Sequence, residues 1–407
     1  MKLERTVRLP FLFHVFSTFE PGGPEVRAVE IMNATRGEFR HAIVAIDGRY
    51  SAASRLKDSV NFQLLEMPGL GRTPKHLLPF LRLVRSTVNI TVETFRLRRQ
   101  ICNLVPDLVL SYGIGAIGAA LSLRFDSNNS VPLICFEDGF EETEIRVRNS
   151  RRLLLRRLAY RHSFRVVVPN STLEKIAKEE FNVPADRICR IPNGVNTSRF
   201  SPAEVTAARQ KIDFPARGFV IGTVCHCRPV KRLDILLRAF KEADLPGAWL
   251  LIVGDGIVKQ EWMALASQLN IATTVFWAGS QTDPSIWLNA MDVFVCTSDS
   301  EQMPLAMLEA MACGKPVVTT DVGNCKEILG LENRCFVVPA GDVQALAASF
   351  ASFYRRDDHA RIGLANRDRC RELFSCDNMV RSHHDLYLEA IRSKRIRSGG
   401  QGPRHRD

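Results

Sequence analysis

The chain has 407 residues, 45% hydrophobic and 24% charged, with a formal net charge of +11. Its 25 Gly and 20 Pro are ordinary numbers for a folded protein, which excludes collagen-like, low-complexity and wholly disordered chains. At about 150 residues per domain the length predicts two or three domains, and no apolar run reaches the roughly 18 residues of a membrane span, Gly113 to Leu123 being the longest candidate.

Short apolar runs rich in Val, Ile and Phe alternate with amphipathic stretches almost from end to end. The first series of expected strands is Phe11–Phe16, Ala42–Ile46, Leu108–Ser111, Leu133–Phe136, Arg165–Val168 and Arg187–Ile191. The second is Phe219–Val224, Ala248–Val253, Thr274–Trp277, Val293–Cys296, Pro316–Thr319 and Cys335–Val338. Continuous apolar runs of this length suit parallel strands buried on both faces. Helical spacing lies between them, as in Leu233, Leu236, Leu237 and Phe240. The expected class is α/β, with two doubly wound domains and a cleft between them. The break falls in the polar, proline-containing stretch from Asn193 to Pro215. The expected division is 1–200, 201–378 and 379–397, with a disordered tail over 398–407.

The 11 cysteines form no C-x-x-C pair, a pattern of reduced thiols in a cytoplasmic setting. Between Ile145 and Leu173 there is no acidic residue, yet Arg146, Arg148, Arg151, Arg152, Arg156, Arg157, Arg161 and Arg165 all fall there. A solvated basic surface explains this block, and so does peripheral contact with an anionic membrane at the cytoplasmic face or with a phosphorylated acceptor. Nucleic acid is not expected, because no platform of stacking aromatics accompanies the arginines.

Four stretches carry candidate chemistry. Gly113, Gly115 and Gly118 form a G-x-G-x-x-G after a strand, with Glu137 and Asp138 about 20 residues on, the spacing of a dinucleotide fingerprint. Glycines that let a helix pack closely on the sheet explain the same pattern. Pro21-Gly22-Gly23-Pro24-Glu25 lies between the first strand and a helix, where backbone N–H groups can approach an anion, or simply turn the chain. Cys225-His226-Cys227-Arg228-Pro229-Val230-Lys231-Arg232 crowds cationic groups into a strand-to-helix loop, which favours a phosphate. A metal is not expected there, since strand alternation splits His226 from the two thiols. The fourth stretch, S-E-Q-M-P-L-A-M-L-E-A-M-A-C-G-K-P-V-V from Ser300 to Val318, places Glu301 at a strand mouth and Glu309 in the helix opened by Pro304. Two such carboxylates can accept from the paired hydroxyls of one elongated ligand.

This last block resembles the retaining nucleotide-sugar glycosyltransferases of family 4, also called glycosyl transferases group 1. P-V-K-R-L-D-I-L-L-R-A-F from Pro229, I-V-G-D-G from Ile252, I-P-N-G-V from Ile191 and the Gly22-Gly23 loop resemble the same family. The resemblance implies the GT-B fold: two Rossmann-like domains facing across a cleft, the first for the acceptor, the second for the donor, with a last helix crossing back. It implies that Glu309 binds the donor ribose and that Glu301 holds the transferred sugar beside Gln302, Met303, Pro304 and Leu305. Lys231 and Arg228 would neutralise the leaving diphosphate, with Gly22, Gly23, His226 and Gly254 near it. Many relatives carry Arg where this chain has His226, and His where it has Asp138, a carboxylate that can orient a sugar hydroxyl or accept a proton.

The resulting expectation is a retaining, metal-independent enzyme without a cofactor. It moves a sugar from a nucleoside diphosphate-sugar, a UDP-sugar first, to a glycan or lipid-linked acceptor in cell-surface polysaccharide synthesis. The competing readings are an NAD-dependent oxidoreductase built on Gly113 to Gly118, and a catalytically silent relative that only binds nucleotide sugar.

Overall fold

Phe11–Phe16 (β1) is buried over its whole length, and this complete burial sets the plan of the first sheet: strands with both faces covered, joined by helical crossovers. The computed structural model describes residues 8–67, 79–124, 131–140, 144, 148–214 and 218–399. Arg146, Pro215 and the tail residues 400–407 lie outside them, whereas 398 and 399, expected to be disordered, close the helix Cys376–Gly399.

After β1 come Arg40–Ala45 (β2), Phe62–Leu65 (β3), Leu108–Tyr112 (β4), Leu133–Phe136 (β5), Arg165–Val168 (β6) and Ile188–Arg190 (β7). They form one sheet of order β3-β2-β1-β4-β5-β6-β7, parallel throughout, with Phe11 opposite Arg40 and Leu12 opposite Leu108. The second sheet comprises Val220–Val224 (β8), Trp249–Val253 (β9), Val275–Gly279 (β10), Val293–Cys296 (β11), Val317–Thr320 (β12) and Val337–Val338 (β13). Its order is β10-β9-β8-β11-β12-β13. Both sheets reverse their winding once, at β1/β4 and at β8/β11. Such a switch leaves a crevice at the carboxyl ends of the two strands, where ligands of doubly wound sheets bind.

The chain divides into Met1–Ile191 with Val380–Asp407, and Pro192–Met379. The transition falls at 191/192 where the sequence suggests 200/201, because Pro192, Asn193 and Gly194 are already tied to the second unit. The helix Cys376–Gly399 begins in the second unit and runs on as part of the first. In the second unit apolar clusters cover both sheet faces. Leu233, Leu236, Leu237 and Phe240 of the helix Leu233–Ala243 are buried as their spacing predicts. Each such side chain contributes about 1.5–3 kcal/mol by leaving water.

The strand that sequence reading misses is β3. It sits at the sheet edge with Gln63 and Leu64 exposed. An edge strand covered on one side has no need of the continuous apolar run that marks the others.

Candidate active site

In the second unit the switch between β8 and β11 joins the cationic loop to the first glutamate of the Ser300–Val318 block. Lys231 follows β8, Glu301 follows β11, and Lys231 Nζ donates to Glu301 Oε1 at 2.5 Å. Ser298 Oγ donates to the same oxygen at 2.7 Å. The two loops are sewn together by backbone and side chain alike: Asp299 N donates to Val230 O, and Thr297 Oγ1 donates to Lys231 O at 2.9 Å. Burial lowers the pKa of Lys231, but the Glu301 carboxylate outweighs it and the ammonium is held above its usual range.

The repulsion expected in this loop is largely relieved within the protein. Arg232, in a left-handed conformation at φ 49°, is clamped by Asp234 and by Asp299 at 2.9–3.0 Å. Of the four cationic groups only His226 and Arg228 face solvent without an ion pair among the described residues. Burial, then the neighbouring Arg228, push His226 below its usual range, so at neutral pH it offers a hydrogen bond and no charge. The thiols of Cys225 and Cys227 share a hydrogen bond that raises the first and lowers the second, and the exposed His226 stands apart from them, as alternation predicts.

Glycines set how closely the loops approach. A Cβ on Gly254, at φ +139°, would lie 1.8 Å from the Cys225 carbonyl oxygen, so its evident role is to let the loop after β9 lie against the cationic loop. One on Gly323, at φ +53°, would lie 1.6 Å from the Glu301 carbonyl oxygen.

Pro304 precedes the helix Leu305–Ala312, whose N-terminus has no side-chain cap. Glu309 lies half-buried in that helix, Gln302 and Leu305 are half-buried, and Met303 is buried. The I-P-N-G-V motif now gains a role that the sequence does not reveal. Asn193 Nδ2 donates to the Met303 carbonyl at 3.1 Å, and its backbone N–H points at the Met303 sulfur at 3.2 Å. Gly194 packs where a Cβ would meet Ser375 O and Cys376 Cα at 2.8 Å. Lys315 of the recognised block is structural: it is buried, donates to the Asn289 carbonyl at 2.9 Å, and burial pulls it down to about 8.

In the first unit Gly22 caps the helix Gly23–Ala34, with Pro24 in its first turn. Glu25 curls back so that its Oε2 lies 2.6 Å from where a Gly22 Cβ would be, and burial, with Asp138 nearby, raises its carboxyl to about 7. Asp138, expected to address a sugar hydroxyl, is instead engaged through both oxygens by Arg27, one contact at 2.8 Å. Arg27 is 3% exposed and lies over the Phe136 ring; no sequence motif singles it out.

Glu137, the ribose ligand of the oxidoreductase reading, is 1% exposed and bound by Arg156 Nε at 2.8 Å and Tyr160 Oη at 2.6 Å. Gly115 packs where a Cβ would meet Ser17 Cβ at 2.4 Å, and Gly118 lies against Leu97. These glycines serve packing, and the carboxylate is closed to a cofactor. The same contacts correct the reading of the arginine block as a uniform surface. Arg156 is 1% exposed between Glu137 and Glu144. Arg152 pairs with Glu144, and Arg148 pairs with Glu180 while stacking on Phe140. A helix that buries a guanidinium among carboxylates has an ionic core on one side.

Among the described residues no group of three or more His, Cys, Asp or Glu is placed to hold a metal ion, and no helix is long and apolar enough to cross a membrane.

Comparison with known proteins agrees with this arrangement. The family described as "Glycosyl transferases group 1" matches residues 204–369, and "Glycosyl transferase 4-like domain" matches residues 22–194. The chain is 28% identical over 240 residues to a D-inositol 3-phosphate glycosyltransferase of Thermobispora bispora, covering 56% of each. It is 30% identical over 218 residues to the lipopolysaccharide core biosynthesis mannosyltransferase LpsB of Rhizobium meliloti, covering 50% of this chain and 61% of that one. The chain thus spans about half the length of the curated relatives it matches. Sucrose-phosphate synthase from Thermosynechococcus elongatus superimposes with a TM-score of 0.77 at 19% identity, over 95% of this chain and all of that one. Anabaena HepE, solved in complex with UDP, superimposes at 0.74 and 19% identity, over 94% of this chain and 100% of that one. The fold is GT-B: two Rossmann-like α/β units, each on a parallel sheet.

Proposed function

Because the chain belongs to the glycosyl transferases group 1 family, we propose that it transfers a sugar from a nucleoside diphosphate-sugar, a UDP-sugar first, to a glycan or lipid-linked acceptor in cell-surface polysaccharide synthesis. One observation carries the reading: the bond between Lys231 and Glu301 across the β8/β11 switch. It sets a cation for phosphate next to a carboxylate for sugar hydroxyls, as a nucleotide-sugar requires.

In this reading Glu309 accepts from the ribose hydroxyls. Glu301 accepts from the transferred sugar, with Gln302, Met303, Pro304 and Leu305 forming the backbone wall that Asn193 and Gly323 hold in place. Lys231 keeps two ammonium protons beyond the one given to Glu301 and, with the exposed Arg228, stabilises the departing diphosphate. His226 donates a neutral hydrogen bond there. In the first unit, Gly22 and Gly23 offer backbone N–H groups at a helix start. Asp138, engaged by Arg27, positions the loop after β5, its role as a sugar ligand being secondary.

The transfer proceeds with retention: the bond from the anomeric carbon to the diphosphate oxygen breaks, the acceptor hydroxyl attacks the same face, and its proton passes to the departing phosphate oxygen. Electrostatic neutralisation by Lys231 and Arg228 makes a metal unnecessary. The place of one relative in lipopolysaccharide core biosynthesis supports a glycan or lipid-linked acceptor, and the UDP complex of a similarly folded protein supports UDP.

The test is a thermal-shift panel of UDP, GDP, ADP, UDP-sugars and NAD on the wild type and Glu309→Ala, since a ligand of the folded state raises Tm. A shift with one nucleoside diphosphate, lost in the variant, is expected. A shift with NAD alone, indifferent to Glu309, overturns the reading. Nuclear magnetic resonance of the product's anomeric centre, with and without EDTA, then tests retention and metal independence.

A further inference from the structure

The opposite edge of the first sheet holds a second concentration of cations that sugar transfer does not use. A cavity of about 420 Å³ opens at the amino ends of β5 and β6 and before β7, with the helix Cys376–Gly399 as its far wall. Arg161, His162, Arg165, Asp186, Arg187 and Lys394 line it.

Two of its cations are already compensated: Arg165 pairs with Glu389 at 2.8 Å, and Lys394 donates to the Pro106 carbonyl at 3.0 Å with Asp107 at 3.9 Å. Arg161 and Arg187 are not. Neither has a carboxylate partner among the described residues, and Arg187 spends one donor on the Arg161 carbonyl. Asp186, the one acid in the wall, forms no ion pair among the described residues. Burial and the charges of Arg124, Arg161 and Arg187 push His162 below its ordinary range, which reports the same positive field. Two guanidiniums without a carboxylate partner among the described residues thus line one cavity, and their forked donors match phosphate oxygens. The volume lies within the range of small-molecule sites and exceeds a lone phosphate.

We propose that this cavity binds a phosphate ester, its phosphate held by Arg161 and Arg187. The site is separate from the donor site and does not rest on the sugar-transfer reading. The phosphate arrives either on a soluble metabolite or as an anionic lipid headgroup at a membrane surface, and the two sources give different results.

Glycerol 3-phosphate titrated by calorimetry probes the first source. Co-sedimentation with phosphatidylcholine vesicles containing about 30% phosphatidylglycerol probes the second. The wild type is expected to bind at least one of them. Arg161→Gln with Arg187→Gln is expected to weaken that binding about tenfold or more, whereas Lys231→Met leaves it unchanged. Arg161→Gln alone, whose guanidinium has no protein partner among the described residues, keeps the fold and is expected to weaken it about fivefold. Binding of glycerol 3-phosphate without vesicles identifies a soluble ester, and vesicles alone a headgroup. No binding of either probe overturns the proposal. So does binding that survives both arginine changes, or that Lys231→Met abolishes.

Discussion

Replacing Lys231 with methionine keeps the length of the side chain and deletes its charge. At 2.5 Å from Glu301 Oε1, an effective dielectric of 20 gives a gross attraction of about 7 kcal/mol. The two side chains are 19% and 11% exposed, so withdrawing both ions from water offsets several kcal/mol of it, leaving a net coupling of about 2–3 kcal/mol. Lys231→Met leaves Glu301 with the Ser298 hydroxyl at 2.7 Å and the Cys296 thiol at 3.9 Å, neither of them charged, and is expected to cost the second unit about 3 kcal/mol. Adding Glu301→Gln removes the stranded charge and returns the double variant to within about 1 kcal/mol of the wild type. All four tryptophans, Trp249, Trp262, Trp277 and Trp287, lie in Pro192–Met379, so their fluorescence in a urea titration follows this unit alone. A coupling within about 0.5 kcal/mol of zero would refute the pairing in solution. Function separates the partners further: Lys231→Met is expected to lose UDP affinity, whereas Glu301→Gln keeps UDP and loses the preference for UDP-sugar over UDP.

Protonation in the first unit runs in two opposed directions. Glu25 is raised from 4.5 to about 7, so its contribution is present below pH 4.5 and lost as pH rises through 7. His41 is lowered by burial from 6.5 to about 4, so its contribution is present above pH 6.5 and lost as pH falls toward 4. Each is worth about 3 kcal/mol. Glu25→Gln is expected to raise Tm at pH 8 and change it little at pH 4.5, leaving the histidine slope exposed; equal gains at both pH values would contradict this. Gly254→Ala, whose Cβ would meet the Cys225 oxygen at 1.8 Å, is expected to cost more than about 3 kcal/mol. Gly23→Ala, with nothing within 4 Å, folds like the wild type, and equal Tm values for the two would refute the close approach. Arg156→Leu leaves the buried Glu137 with the Tyr160 hydroxyl and no cation, while Glu144 keeps Arg152; it is expected to cost about 3–5 kcal/mol, part of it regained by adding Glu137→Gln, as urea unfolding followed by circular dichroism will show.

Parallel strands buried on both faces must be written as apolar runs, and crossover helices as apolar stripes. The strands therefore read off the chain to within a residue or two, β3 excepted, and the alternation of the two patterns names the fold class. Cation and carboxylate also announce themselves locally: Lys231, Glu301 and Glu309 stand in strings whose composition points to phosphate and hydroxyl groups. Pairing across 70 residues does not. That Lys231 joins Ser298 on one oxygen of Glu301, that Asn193 carries the Met303 carbonyl, and that Arg27 occupies Asp138 depend on which distant segments the fold brings together. The arginine block shows the limit most plainly. Its charge is written in the sequence, but Arg156 lies inside and Arg161 on a cavity wall because burial depends on what packs opposite, and one element alone does not contain its neighbours.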